Sequence, residues 1–176
     1  QKGGNCGMEG LVAFAQSTHG SVANVSSLDA DQVESAFVQS DVTYWAYTGT
    51  GPFADKRPFK KLCVLSSLYP EHVQVVAGKD RGIKTVYDLK GKKVAIGLPD
   101  SGVLVGARLV LGAHGLAENR DFMPEYVKSK TAAAMIRDGH LDAFIDVSGY
   151  PSMGISDMAK EFGLTLVAVE GKERDS

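Results

Sequence analysis

Short apolar runs that stop at glycine or serine and restart with a helical period recur along the whole chain. That alternation, more than any single residue, limits what the chain can fold into: it reads as α/β. Strands are expected at Glu9–Ser17, Glu34–Gln39, Leu62–Leu68, His72–Ala77, Lys93–Gly97, Phe122–Val127, Leu141–Val147 and Leu164–Val169. Helices are expected at Ser21–Leu28, Asp41–Tyr47, Thr85–Leu89, Gly102–His114, Ser129–Asp138 and Pro151–Phe162. The polar break Gly78–Gly82 divides this pattern. It predicts a first lobe over 1–78, a second over 79–170 and a polar tail over 171–176. A length of 176 residues suits two lobes of roughly 80–90 residues each.

Composition excludes several functions. Nineteen Lys and Arg against 21 Asp and Glu leave a net charge of −2, too balanced for a basic nucleic-acid binder. Two cysteines, Cys6 and Cys63, are too few for a disulfide scaffold or a cysteine zinc site, and whether they bridge stays open. No run has the ~18 apolar residues of a membrane span; no basic-then-apolar leader appears either, but a removed signal peptide leaves no trace, so this does not fix the location.

Enzyme signatures fail one by one. Gly97–Gly102 has the glycine spacing of a phosphate loop, but Val103 and Leu104 stand where Lys and Ser/Thr are needed. There is no dinucleotide fingerprint and no nucleophile elbow. His19, His72, His114 and His140 are scattered without metal-ligand spacing, so no metal or cofactor is expected. Asn24-Val25-Ser26 fits the glycosylation triplet but falls inside an expected helix.

Two strand-to-helix turns share a design. Thr18-His19-Gly20-Ser21 and Asp100-Ser101-Gly102 each combine a serine hydroxyl, a glycine that admits close backbone approach, and the unpaired N–H groups of a helix first turn. With the helix dipole, each makes an anion cradle that needs no Lys or Arg. Two cradles facing across a cleft would suit a ligand with one or two carboxylates, although each turn alone also reads as an ordinary N-cap. Gln39-Ser40-Asp41 lies at a third strand end, where Gln39 can face a pocket and Asp41 is the natural N-cap. Tyr44 stands one turn further on, and Gly149-Tyr150-Pro151 forms a fourth turn in which Tyr150 is either a loop aromatic or a ligand contact.

HGSVAN (19–24), FVQSDVTYWAYTGTGPF (37–53), SLYPEHVQVVA (67–77), GIKTVYDLKGKKVAIG (82–97), the PDSG turn (99–102) and DGHLDAFIDVSGYPS (138–152) together resemble the TAXI family. These are extracytoplasmic solute receptors of TRAP transporters. The resemblance runs in order over nearly the whole chain. It implies a type II periplasmic-binding-protein fold, with two α/β lobes closing on a small carboxylate such as glutamate or 2-oxoglutarate. It also implies delivery to a TRAP membrane permease subunit and a periplasmic or extracytoplasmic location. Carried over by motif, the ligand-binding residues are Gly20, Ser21, Asn24, Gln39, Tyr44, Ser101 and Gly102, with Tyr150 added from the fourth turn.

Three departures from the family pattern matter. The second turn reads Pro99-Asp100-Ser101-Gly102-Val103 where the family has P-G-S-G-T, so a threonine hydroxyl is lost and a negative charge gained. His19 replaces a glycine. The family's opening strand and closing segment have no counterpart, so the first lobe is expected to be incomplete, with strand 9–17 lacking a neighbour. A longer polypeptide or a second chain would complete it, and the former is favoured. The expectation is a receptor without catalysis. Its rivals are an enzyme on the same scaffold using His19 and Asp41 as acid and base, and a surface antigen or interaction protein with a decayed pocket.

Overall fold

The computed structural model describes residues 10 and 12–171. One five-stranded mixed sheet organises the chain from residue 72 onward. Its strands are β1 (His72–Gly78), β2 (Lys93–Ala95), β3 (Met123–Glu125), β4 (Ala143–Ser148) and β5 (Leu164–Val167), in spatial order β3-β2-β4-β1-β5. β3, β2 and β4 run parallel, and β1 lies antiparallel between β4 and β5. β1 sits on the first-lobe side of the expected boundary at 78, yet it is a central strand of this sheet.

Helices α3 (Gly102–Ala113), α4 (Ser129–Arg137) and α5 (Met153–Phe162) supply the crossovers. Parallel strands need such connections, and the hydrophobic pattern decides which face each helix covers. Alternate residues of β1 and β4 point to opposite faces. Val75, Ala77, Ala143 and Ile145 pack with Leu104, Ala107 and Leu111 of α3. Val76 and Phe144 pack with Ala132, Ala133 and Ile136 of α4 and Ile155 of α5. β2 leads to α3 on one face, and its neighbour β3 leads to α4 on the other. The connections therefore part at the carboxyl end of β2, where a crevice must open.

The first half is built differently. α1 (Ser21–Asp29) and α2 (Ser40–Thr48) pack through Val22, Val25, Val42, Ala46 and Phe53, and Val105 of α3 leans on this small core. Among the described residues, none of the three strands expected before residue 70 forms. Residues 12–18, 34–39 and 62–70 lack regular structure, leaving Val12, Phe14, Phe37, Val64 and Leu65 exposed. An extended run becomes a strand only when a neighbour takes its backbone groups, and none of the described residues does so here. Part of the first expected strand, with Cys6, lies outside the described residues, so the pairing of Cys6 with Cys63 does too; Cys63 is exposed. Asp41 is not the N-cap of α2: Gln39 holds that position, and the Asp41 carboxylate accepts from the Val42 N–H in the first turn.

In the second half the expected elements form with shifts of a few residues. Thr85–Leu89 is a 3-10 turn over Val86–Leu89, closed by a capping box between Thr85 and Asp88. Outside the sheet, Glu118 joins α3 to the strand edge: Arg108 donates to it at 2.6 Å and the Tyr126 hydroxyl at 2.7 Å. The Arg108 hydrogen bond, ahead of the Tyr126 hydroxyl, holds the Glu118 carboxyl below its usual range, against a desolvation that acts the other way.

Two outcomes test this packing. Phe144 is fully buried between the sheet and α4, so Phe144→Ala should cost about 3–5 kcal/mol, read as a lower urea midpoint. A depressed carboxylate pKa stabilises the fold above the ordinary glutamate value, and that gain is lost as pH falls through the folded value. Glu118→Gln should therefore flatten part of the acid limb of a stability–pH curve, and it should also soften the alkaline limb, because the Glu118 carboxylate holds the Tyr126 hydroxyl above its usual range.

Candidate functional site

The site grows from the turn that follows β2. Ser101 caps α3: its Oγ accepts from the Leu104 N–H at 3.1 Å and donates to the Leu98 carbonyl at 2.6 Å. Its proton is thus committed within the turn, and what the turn presents outward is the first-turn N–H groups of α3. Ser21, the first residue of α1, accepts from the Gln39 N–H at 3.1 Å. Asn24 pins the same two segments: its Oδ1 accepts from Thr18 Oγ1 at 2.5 Å and its Nδ2 donates to the Phe37 carbonyl at 2.8 Å.

The two turns face one another, as their sequences suggest, but they touch. The Ala23 N–H of α1 donates to the Asp100 carbonyl at 3.0 Å. Gly20, at φ 133, lies so close that a Cβ there would meet the Ser101 Cα at 3.2 Å. A Cβ on Gly102 would collide with the Gln39 amide and stand 3.0 Å from Ser21 Oγ. Gly20 is set by its positive φ and the Ser101 backbone, whereas at Gly102 the atoms in the way are the flexible end of the Gln39 side chain. Gln39 Oε1 is buried in this seam without a hydrogen-bond partner. The α1 cradle is therefore occupied by a carbonyl of this chain, and the gap between Ser21 and Ser101 is filled.

The space lies to one side. A hollow of about 210 Å³ is lined by His19, Gly97, Leu98, Ser101, Val103, Val127, Lys128 and Ser129. These residues follow β2 and β3, at the parting of the connections where the topology places a crevice. Of the residues expected from sequence, Ser101 lines the hollow. Gly20, Ser21, Gln39 and Gly102 lie in the seam beside the Ser101 turn, with Asn24 bracing the Phe37 segment, and none of the five lines the hollow. Tyr44 is exposed on α2, and Tyr150 is exposed after β4 with its ring edge toward His72 at 6.5 Å. His19 and Val103, noted as departures from the family pattern, both line the hollow, whereas the Asp100 side chain is exposed and its carbonyl holds α1. Asp41 does not line it, so the acid–base pairing with His19 finds no shared hollow.

Sequence reasoning missed Lys128, Ser129 and the groups behind them. Ser129 Oγ donates to Asp146 Oδ1 at 2.5 Å; Ser148 Oγ donates to Asp146 Oδ2 at 2.8 Å; and Gln74 Nε2 donates to Ser148 Oγ at 3.0 Å. Gln74 and Asp146 are direct cross-strand partners in the β1–β4 register. The available signal was the polar pair Asp146 and Ser148 interrupting an apolar strand at its carboxyl end. Among the described residues, no group of three or more His, Cys, Asp or Glu could hold a metal, and no helix is long and apolar enough to cross a membrane.

A known family matches over residues 5–176, described as the NMT1-like family. Solved structures also match in part. One is the periplasmic aliphatic sulphonate binding protein SsuA from Escherichia coli: 26% identity, TM-score 0.45, 56% of this chain and 33% of that one. A second is the alkanesulfonate-binding protein SsuA from Xanthomonas axonopodis pv. citri bound to MOPS: 27% identity, TM-score 0.44, 57% and 35%. A third is the L-cystine solute receptor of Neisseria gonorrhoeae: 23% identity, TM-score 0.40, 55% and 36%. The chain spans about a third of the length of these proteins.

The seam gives a direct test. Gly20→Ala puts a side chain at positive φ against Ser101 and should destabilise the protein by about 1–3 kcal/mol, measured by denaturant unfolding.

Proposed function

The chain belongs to the NMT1-like family, and from that premise we propose that it forms part of an extracytoplasmic solute receptor, without catalysis, that binds a small carboxylate for a TRAP-type secondary transporter. The observation that carries this reading is the hollow at the parting of the β2 and β3 connections. There the N-terminus of α3 and Lys128 lie on the walls of one small space. Helix first-turn N–H groups and the dipole favour an anion, and a lysine on the rim adds a full charge. Its volume of about 210 Å³ exceeds the roughly 150 Å³ of an apolar cavity that admits benzene, so it has room for a small solute. The TRAP assignment rests on the motif resemblance over 19–24, 37–53 and 138–152, and the periplasmic or extracytoplasmic location follows from it.

Within this reading, contact between the Gly20 and Asp100 turns is the shut state of two halves. Gly20, Ser21, Asn24, Gln39 and Gly102 hold that state, and Ser101 reaches the ligand from the wall. The exposed Tyr44 and Tyr150 are held as contacts for an opened arrangement or for the permease.

Calorimetry of the protein with a panel of small mono- and dicarboxylates tests the reading. Saturable one-to-one binding of at least one acid is the expected result, with Lys128→Gln weakening it about tenfold, the loss of one charge-assisted contact of roughly 1.5 kcal/mol. Flat titrations with every acid would remove the receptor assignment.

A further inference from the structure

The groups around the hollow share one sign. Lys128 is on its wall, and α3 and α4 both begin there, the second with no side chain capping its first N–H groups. Among the described residues no carboxylate lines it. The Asp100 side chain is exposed in the turn before α3, and Asp146, behind Ser129, is engaged by the hydroxyls of Ser129 and Ser148. His19 also lines the hollow, and it arrives from the helical first half, whereas Lys128 belongs to the sheet-bearing second half. Its ring is uncommitted: among the described residues no hydrogen bond, ion pair or ring contact engages it, and none engages the Lys128 ammonium. The other histidines stand elsewhere. Both ring nitrogens of His114 lie against carbonyl oxygens, that of Val110 at 2.7 Å and that of Glu170 at 3.2 Å. His72 meets the Tyr150 ring, and His140 is exposed after α4.

We propose that His19 contacts the bound acid and that the protein takes up its acid together with a proton, the imidazole charging as the acid seats. This rests on the receptor reading above and adds to it a regulation by pH, whichever small acid is bound. An imidazole ordinarily changes charge between pH 5 and 8, and once charged it donates from both ring nitrogens. The charged ring finds no counter-charge on these walls until the acid arrives, so the gain belongs to the occupied state. The acid is then shared between a fixed cation, Lys128, and a titrating one, His19. The proton comes from solvent and goes to the imidazole, and no bond in the ligand changes. By reciprocity, whatever the acid adds to proton binding the proton adds to acid binding. The glycine that the TAXI pattern has at this position could not titrate, so the coupling belongs to this chain's own residue.

Calorimetric titrations of 2-oxoglutarate, L-glutamate and ethanesulfonate into the protein decide the matter, each run at about pH 6 and about pH 8. Ethanesulfonate serves because its own charge is constant over that range. Every acid that binds should do so about fivefold more tightly at the lower pH. Titrations at about pH 7 in two buffers of unlike ionisation enthalpy should show net proton uptake on binding. His19→Gln should lose both signatures, its affinities differing less than about twofold between the two conditions. His19→Lys, charged in both, should also lose the pH dependence and bind more tightly than His19→Gln at the higher pH. Lys128→Gln should weaken binding and keep the pH dependence. A structural role for His19 in its turn would instead move affinity equally in both conditions. If His19→Gln does not fold, as read by circular dichroism, His19→Lys decides in its place. Affinity of the unaltered protein that ignores pH, or a pH dependence and proton uptake that persist without His19, overturns this inference and leaves the receptor reading standing. No binding by any acid in either condition removes both.

Discussion

The backbone hydrogen bond from Ala23 to the Asp100 carbonyl ties the helical first half to the sheet-bearing second half. It places the first turn of α1 on the loop that opens α3, an approach that Gly20 permits against the Ser101 backbone while the Gln39 side chain packs on Gly102. The position of His19 over the hollow depends on this contact, because His19 is carried by the same turn. So does the small core of α1 and α2, which Val105 of α3 completes from the other side.

Where elements bury apolar residues on a regular period, the sequence was readable. β1, α3, α4 and β5 fall within a few residues of their expected places, because Val75, Leu104, Ala132 and Leu164 are each fixed by the sheet or by the helix against it. The runs over 12–17, 34–39 and 62–68 have strand-like composition, but pairing is a property of two segments and composition belongs to one. The contact between the Gly20 and Asp100 turns was half legible. Their chemistry identified both as helix starts, but nothing in either turn says that a carbonyl of one enters the other.

The polar network behind Ser129 was illegible for a related reason. Gln74 and Asp146 are 72 residues apart and meet only through the antiparallel register of β1 and β4, while Ser129 arrives from a third element. Each alone is an ordinary polar residue near the end of a strand or helix. Ser101 carries the opposite lesson. Its hydroxyl looked available in sequence, yet a serine that both caps a helix and donates to the Leu98 carbonyl has no proton left to offer. The amides of α3, and not the hydroxyl, give that wall its positive character.

Gln39 Oε1, buried in the seam without a partner, bears on how firmly the halves hold together. A buried carbonyl without a protein partner carries a penalty of about 1–3 kcal/mol, which contact with solvent relieves. Parting the seam would wet this oxygen and recover that energy, offsetting part of what the Ala23–Asp100 bond supplies. On the receptor reading proposed above, the seam between the two turns would then part at a lower cost than a fully satisfied one.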